Sequence, residues 1–182
     1  MPKIDKVESL FSCKLRKADI KAFFEAIKIL DSLEEYIVWA GIASSILANI
    51  KSSPDIDVFV WKRGTFKLLK EKFSRLNWKI YNGKKRVRFK KESLTVDVVF
   101  FRAAQFIPFV CYKIDNLNVK VASPEALFLL KIMQLTYKKR PPEKLTKDIL
   151  ALERLRKIIS LRELARLLKK LPRNFLKIES FY

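Results

Sequence analysis

Residues 36–61, YIVWAGIASSILANIKSSPDIDVFVW, decide how the rest of the chain is read. The aromatic and β-branched run at 36–40 predicts a strand, Gly41 a tight turn and 43–50 a short helix. Ser52-Ser53-Pro54 ends that helix and opens a second strand over 55–61, which begins Asp-Ile-Asp. Side chains alternate along a strand, so Asp55 and Asp57 share one face and Ile56, Val58 and Val60 take the other. Phe59 and Trp61 continue the aspartate face, so the pair is expected where a strand covered on both sides emerges from cover. A glycine turn feeding a helix N-terminus beside two carboxylates can hold a nucleoside triphosphate and its metal ions.

Outward from this stretch, helical spacing of Ile20, Phe23, Phe24, Ile27 and Leu30 predicts a helix over 18–33. A shorter apolar pattern at 4–12 fits a brief helix. Downstream, 65–76 reads as a helix covering a sheet, and 78–81 with 85–89 as a hairpin turned by Asn82-Gly83. The run 94–101, LTVDVVFF, is an apolar strand with Asp97 at its middle, and 106–111 and 119–121 are further short strands. From Ser123-Pro124-Glu125, a helix start with Ser as cap and Pro in the first turn, only helices follow, to about 138, then 143–157 and 161–171. The fold class expected is α+β, a small mixed sheet with helices packed on it. An α/β core over 1–122 and a C-terminal helical subdomain over 123–182 are the expected domains.

Thirty-nine Lys and Arg against nineteen Asp and Glu leave a formal charge of +20 over 182 residues. Such an excess points to a polyanionic partner, nucleic acid before membrane. A heat-adapted surface is the plainer explanation, but heat adaptation raises Glu together with Lys, and here the acids lag. From 138 to 182 there are fourteen Lys or Arg against five Asp or Glu, and Lys84-Lys85-Arg86 and Lys90-Lys91 add charge near the hairpin. Tyr137 and Phe175 could stack on bases or simply pack. Histidine is absent, which removes His general bases and most zinc sites. Cys13 and Cys111 have no metal spacing, and a reducing cytoplasm is expected. Neither a membrane-spanning run nor a signal peptide is expected.

Asp97 shares its strand face with Thr95, Val99 and Phe101, and an unpaired charge there costs several kcal/mol. If its strand lies beside that of Asp55 and Asp57, three carboxylates converge. Three hard oxygen donors without His or Cys select Mg²⁺ or Mn²⁺. Singly, each has a plain explanation: a polar strand start for Asp55 and Asp57, a salt bridge to a lysine for Asp97.

These residues resemble the nucleotidyltransferase superfamily typified by DNA polymerase beta. Its members carry a Gly-Gly or Gly-Ser turn, a helix, Asp-x-Asp on one strand and a third Asp on a neighbouring strand. Ala40-Gly41 falls on that turn, thirteen residues separate Gly41 from Asp55, and Asp97 takes the third position. The turn departs from the pattern, so the phosphate contact made there by a serine would pass to backbone N–H groups, Ser44 or Ser45. The segment 121–155, VASPEALFLLKIMQLTYKKRPPEKLTKDILALERL, resembles the later motifs of minimal nucleotidyltransferases of the AbiEii/AbiGii toxin type. Lys131 falls on the helix lysine, Arg140 on the arginine, and Lys147-Asp148 on the later pair. Taken alone, these are ordinary solvated helix charges.

The resemblance implies transfer of a nucleoside monophosphate from an NTP to a hydroxyl. Asp55, Asp57 and Asp97 would be catalytic and metal-holding; Gly41, Ser44, Ser45, Lys131, Lys147 and Asp148 would bind the nucleotide. With the charge, it implies an RNA acceptor such as a tRNA end, and the toxin type implies an antitoxin partner. A protein or small-molecule acceptor, and a non-catalytic nucleic-acid-binding module, stay open.

Overall fold

The computed structural model describes residues 2–135, 141–172 and 175. Eight strands form one mixed sheet in the order β1-β7-β8-β2-β3-β6-β5-β4. The strands are β1 (Lys3–Ile4), β2 (Tyr36–Trp39), β3 (Asp55–Val60), β4 (Lys79–Asn82), β5 (Arg86–Lys91), β6 (Leu94–Phe100), β7 (Phe109–Ile114) and β8 (Leu117–Ala122). The helices are α1 (Lys17–Asp31), α2 (Ala40–Ala48), α3 (Arg63–Arg75), α4 (Pro124–Leu135), α5 (Pro142–Leu155) and α6 (Leu161–Lys170). The α+β class is as expected.

Two local expectations change. The 4–12 segment is not a single helix: Lys3–Ile4 pairs with β7 as the sheet edge, and only Val7–Leu10 turns, as a 3-10 helix. No separate glycine turn precedes α2 either. The chain enters that helix directly from β2, and Ala40, at φ 57°, absorbs the change of direction.

One sheet face carries Ile56, Val58, Val96, Val98 and Phe89, all buried. The α1/α3 layer covers it, with Phe73 of α3 stacked on Phe89 at 4.2 Å between ring centroids. Asp19, near the start of α1, accepts from the Arg16 backbone N–H and from both Ser93 groups, pinning the helix to the turn between β5 and β6. The Arg16 guanidinium, then the Ser93 bonds, hold that carboxyl well below the usual range.

On the opposite face α2 packs on β2 and β3, α4 and α5 pack on α2 and on each other, and α6 packs on α4. Beneath them Trp39 stacks on Phe59 at 4.3 Å, Phe59 meets Phe101 at 5.2 Å, and Phe101 meets Phe175 at 5.4 Å. Phe175 is therefore a core residue and not a stacking platform. Tyr137 and Arg140 lie outside the described residues. Ser123 caps α4 as expected, its hydroxyl accepting from the Ala126 N–H at 3.3 Å. Among the described residues, no helix is long and apolar enough to cross a membrane.

Candidate active site

The aromatic cover stops at the N-terminal end of β3, where the burial of alternate residues gives way and Asp55 and Asp57 are only half-buried. Strand β6 lies beside β3 in parallel, with Asp57 opposite Asp97 and Asp55 opposite Thr95. The adjacency on which the three carboxylates depended is thus present. They face a cleft of about 480 Å³, whose other walls are the start of α2, the Ser52-Ser53 loop, and Lys131, Lys147 and Asp148 from α4 and α5. A volume of that size suits a nucleotide-sized ligand.

Burial first, then the charges of Asp97 and Asp55, push the Asp57 carboxyl up to about 6, against the pull of Lys131 and Arg86. Asp55 accepts a 2.8 Å hydrogen bond from the Ser53 hydroxyl. Burial also opposes ionisation of Asp97, but two guanidiniums outweigh it and hold that carboxyl below its ordinary value. Arg88 donates through Nε to Oδ1 at 2.9 Å and through Nη2 to Oδ2 at 3.1 Å. Arg86 donates to the same two oxygens. The cation beside Asp97 is therefore a pair of arginines and not a lysine.

This clamp bears on the metal expectation. Among the described residues, no three His, Cys, Asp or Glu side chains are grouped to hold a metal ion. Both Asp97 oxygens accept from guanidiniums. Asp55 and Asp57 do fit a hard cation. Mg²⁺ commonly takes one or two carboxylates plus substrate phosphates, and the upward push on Asp57 marks negative charge that such an ion would relieve.

Lys131 reaches across from α4 and donates to Asp148 Oδ1 of α5 at 2.6 Å; both are buried. They are not solvated helix charges. Gly41 packs so closely on the loop that an added Cβ would stand 3.0 Å from Ser52 Cβ. Ser44 lines the cleft, its hydroxyl donating back to the Ala40 carbonyl at 2.7 Å. Ser45 does not line it. Its hydroxyl bonds the carbonyls of Leu10 and Ile50, both at 2.8 Å, and ties α2 to neighbouring loops.

Arg88 was not singled out from the sequence, nor was the pairing of Arg86 with Asp97. A signal was present: Arg86, Arg88 and Lys90 alternate with the buried Val87 and Phe89, so three cations share one strand face. Gln134 and Lys144 also line the cleft and carried no mark in the sequence.

No protein-family profile matches the sequence, and no curated protein matches it. Among solved structures, an antigenic nucleotidyltransferase-like protein from Paracoccidioides brasiliensis superposes with a TM-score of 0.59 at 17% identity, over 90% of this chain and 92% of that one. The antibiotic-resistance factor ANT(2'')-Ia, in complex with adenylyl-2''-tobramycin, superposes with a TM-score of 0.57 at 13% identity, over 81% of this chain and 93% of that one. The fold is that of nucleotidyltransferases.

Proposed function

We propose that this protein is a nucleotidyltransferase that moves a nucleoside monophosphate from an NTP to an acceptor hydroxyl, with RNA, such as a tRNA end, as the acceptor. The observation that carries this reading is the cleft. It has Asp55 and Asp57 on one strand with Asp97 in register beside them, and lysines of α4 and α5 on the facing wall. In the reaction the acceptor oxygen bonds the α-phosphorus, the bond from that phosphorus to the bridging oxygen breaks, and pyrophosphate leaves with the electron pair.

Asp55 and Asp57 would hold Mg²⁺ or Mn²⁺, which supplies charge neutralisation at the phosphates when bound. Lys131 and Lys147 bind triphosphate oxygens, and Asp148 positions Lys131 through their buried ion pair. The unpaired backbone N–H groups at the start of α2, around Gly41, would face the same anion. Asp97, held by Arg86 and Arg88, would accept the proton of the acceptor hydroxyl or serve as a third ligand for the ion. Most of the rate then comes from positioning and charge neutralisation.

A net charge of +20 supports a polyanionic acceptor. It opposes a cationic small-molecule acceptor. The toxin type and an antitoxin partner rest on the motifs of 121–155 alone. The test is incubation with each labelled NTP, Mg²⁺ and total RNA. Label on RNA supports the proposal, label on protein or a small molecule changes the acceptor, and no label with any NTP overturns it.

A further inference from the structure

Strands β5 and β4 extend the carboxylate face beyond the cleft to the sheet edge. One register row runs from Asp57 to Asp97, from Asp97 to Arg88 and from Arg88 to Tyr81. Three inter-strand steps place Tyr81 about 14 Å from Asp57 along this row. The adjoining row carries Thr95, Lys90 and Lys79. A groove of about 400 Å³ opens there, lined by Tyr81, Asn82, Gly83, Arg86, Arg88 and Lys90, with no carboxylate on its walls. It shares Arg86 and Arg88 with the cleft, so the two adjoin at those side chains.

Lysines on an edge strand have a plain purpose, since they prevent edge-to-edge pairing. That purpose does not call for an aromatic ring on the same face. Tyr81 is 52% exposed on the edge strand, flanked by cations. A ring beside cations spaced along a groove suits a polynucleotide strand, with bases on the ring and phosphates on the side chains. An acidic peptide would use the cations and leave the ring without a stacking partner.

We propose that the β4–β5 face binds a single-stranded polynucleotide, with Tyr81 stacking on a base and Lys79 and Lys90 meeting phosphates, and leads its end to the carboxylates. Calling this strand the acceptor rests on the transferase reading; the binding site does not. Arg86 and Arg88 stand at the junction, between the strand's end and the NTP.

The test is fluorescence anisotropy of the full chain with short fluorescein-labelled single-stranded RNA and DNA of the same sequence. Tyr81→Ala should weaken binding about tenfold, and Tyr81→Phe should keep it. Lys79→Ala with Lys90→Ala should lower the slope of log affinity against log salt by about 1.4. Lys169→Ala with Lys170→Ala, on α6, should leave binding near wild type. RNA binding tighter than DNA names the strand as RNA; equal binding leaves a general single-strand site, and both support the groove. The proposal fails if neither oligonucleotide binds, if the hairpin variants bind as wild type, or if polyglutamate alone binds there. Label transferred to RNA with a KM indifferent to Tyr81→Ala would sink the groove and spare the transferase. Binding through the hairpin without transfer would do the reverse.

Discussion

Ala40 occupies left-handed backbone at φ 57°, where a side chain costs roughly 1–2 kcal/mol. Glycine relieves that strain and loses part of the gain to chain entropy. Ala40→Gly is therefore expected to stabilise the protein by about 0.5–1 kcal/mol, read as a higher denaturant midpoint. Gly41→Ala should act in the opposite sense, costing about 1–3 kcal/mol as its methyl meets Ser52 Cβ. Asp57 is strained electrostatically. Its folded pKa of about 6 lies above the unfolded value, so its contribution favours folding at low pH and is lost as pH rises through about 6. Asp57→Asn should raise the Tm of the nucleotide-free protein at pH 7.5 more than at pH 5, while abolishing nucleotidyl transfer. An unchanged Tm at pH 7.5 would count against the electrostatic account, and retained transfer against the catalytic one.

At the scale of elements, the cleft is held together where α4 and α5 meet. The Lys131–Asp148 pair is buried on both sides, and removing one partner strands a charge in the interior. Lys131→Met is expected to cost about 3–5 kcal/mol in denaturant unfolding. Lys131→Met with Asp148→Leu should recover most of that stability without recovering nucleotide affinity, because the pair's gain over an apolar replacement is small. A double variant no more stable than the single would show that the pair is not the source of the loss. Arg154 of α5 adds a second tie, donating to the Ala48 and Asn49 carbonyls at the end of α2 at 2.9 and 2.7 Å. These helices position the cleft walls against a sheet whose register is set by β3 and β6.

At the scale of the whole molecule, the charge excess dominates. Affinity for RNA that rests on phosphate contacts should fall at least tenfold between about 50 and 200 mM salt, measured by filter binding. A flat response would remove RNA as the acceptor. The buried Lys131–Asp148 pair is neutral as a unit, so it leaves the excess of +20 to the rest of the molecule.

Local periodicity made much of this legible. Alternation in DIDVFV put Asp55 and Asp57 on one face and predicted their emergence from cover, because a strand's side chains can face only two ways. The apolar run around Asp97 marked a buried charge that needed a partner. Ser123-Pro124 marked the start of α4 because cap chemistry is local. Sheet order and register are not local. Val121 comes to lie beside Val38, and Asp97 opposite Asp57, only because long-range packing selects those neighbours. The same packing turned Asp97 to Arg86 and Arg88, spent Ser45 on the Leu10 and Ile50 carbonyls, and buried Phe175 against Phe101. Sequence alone determined which side chains could do chemistry and on which strand face they lie. The tertiary structure decided which of them meet, since a residue's partners are set by the strands and helices that pack beside it.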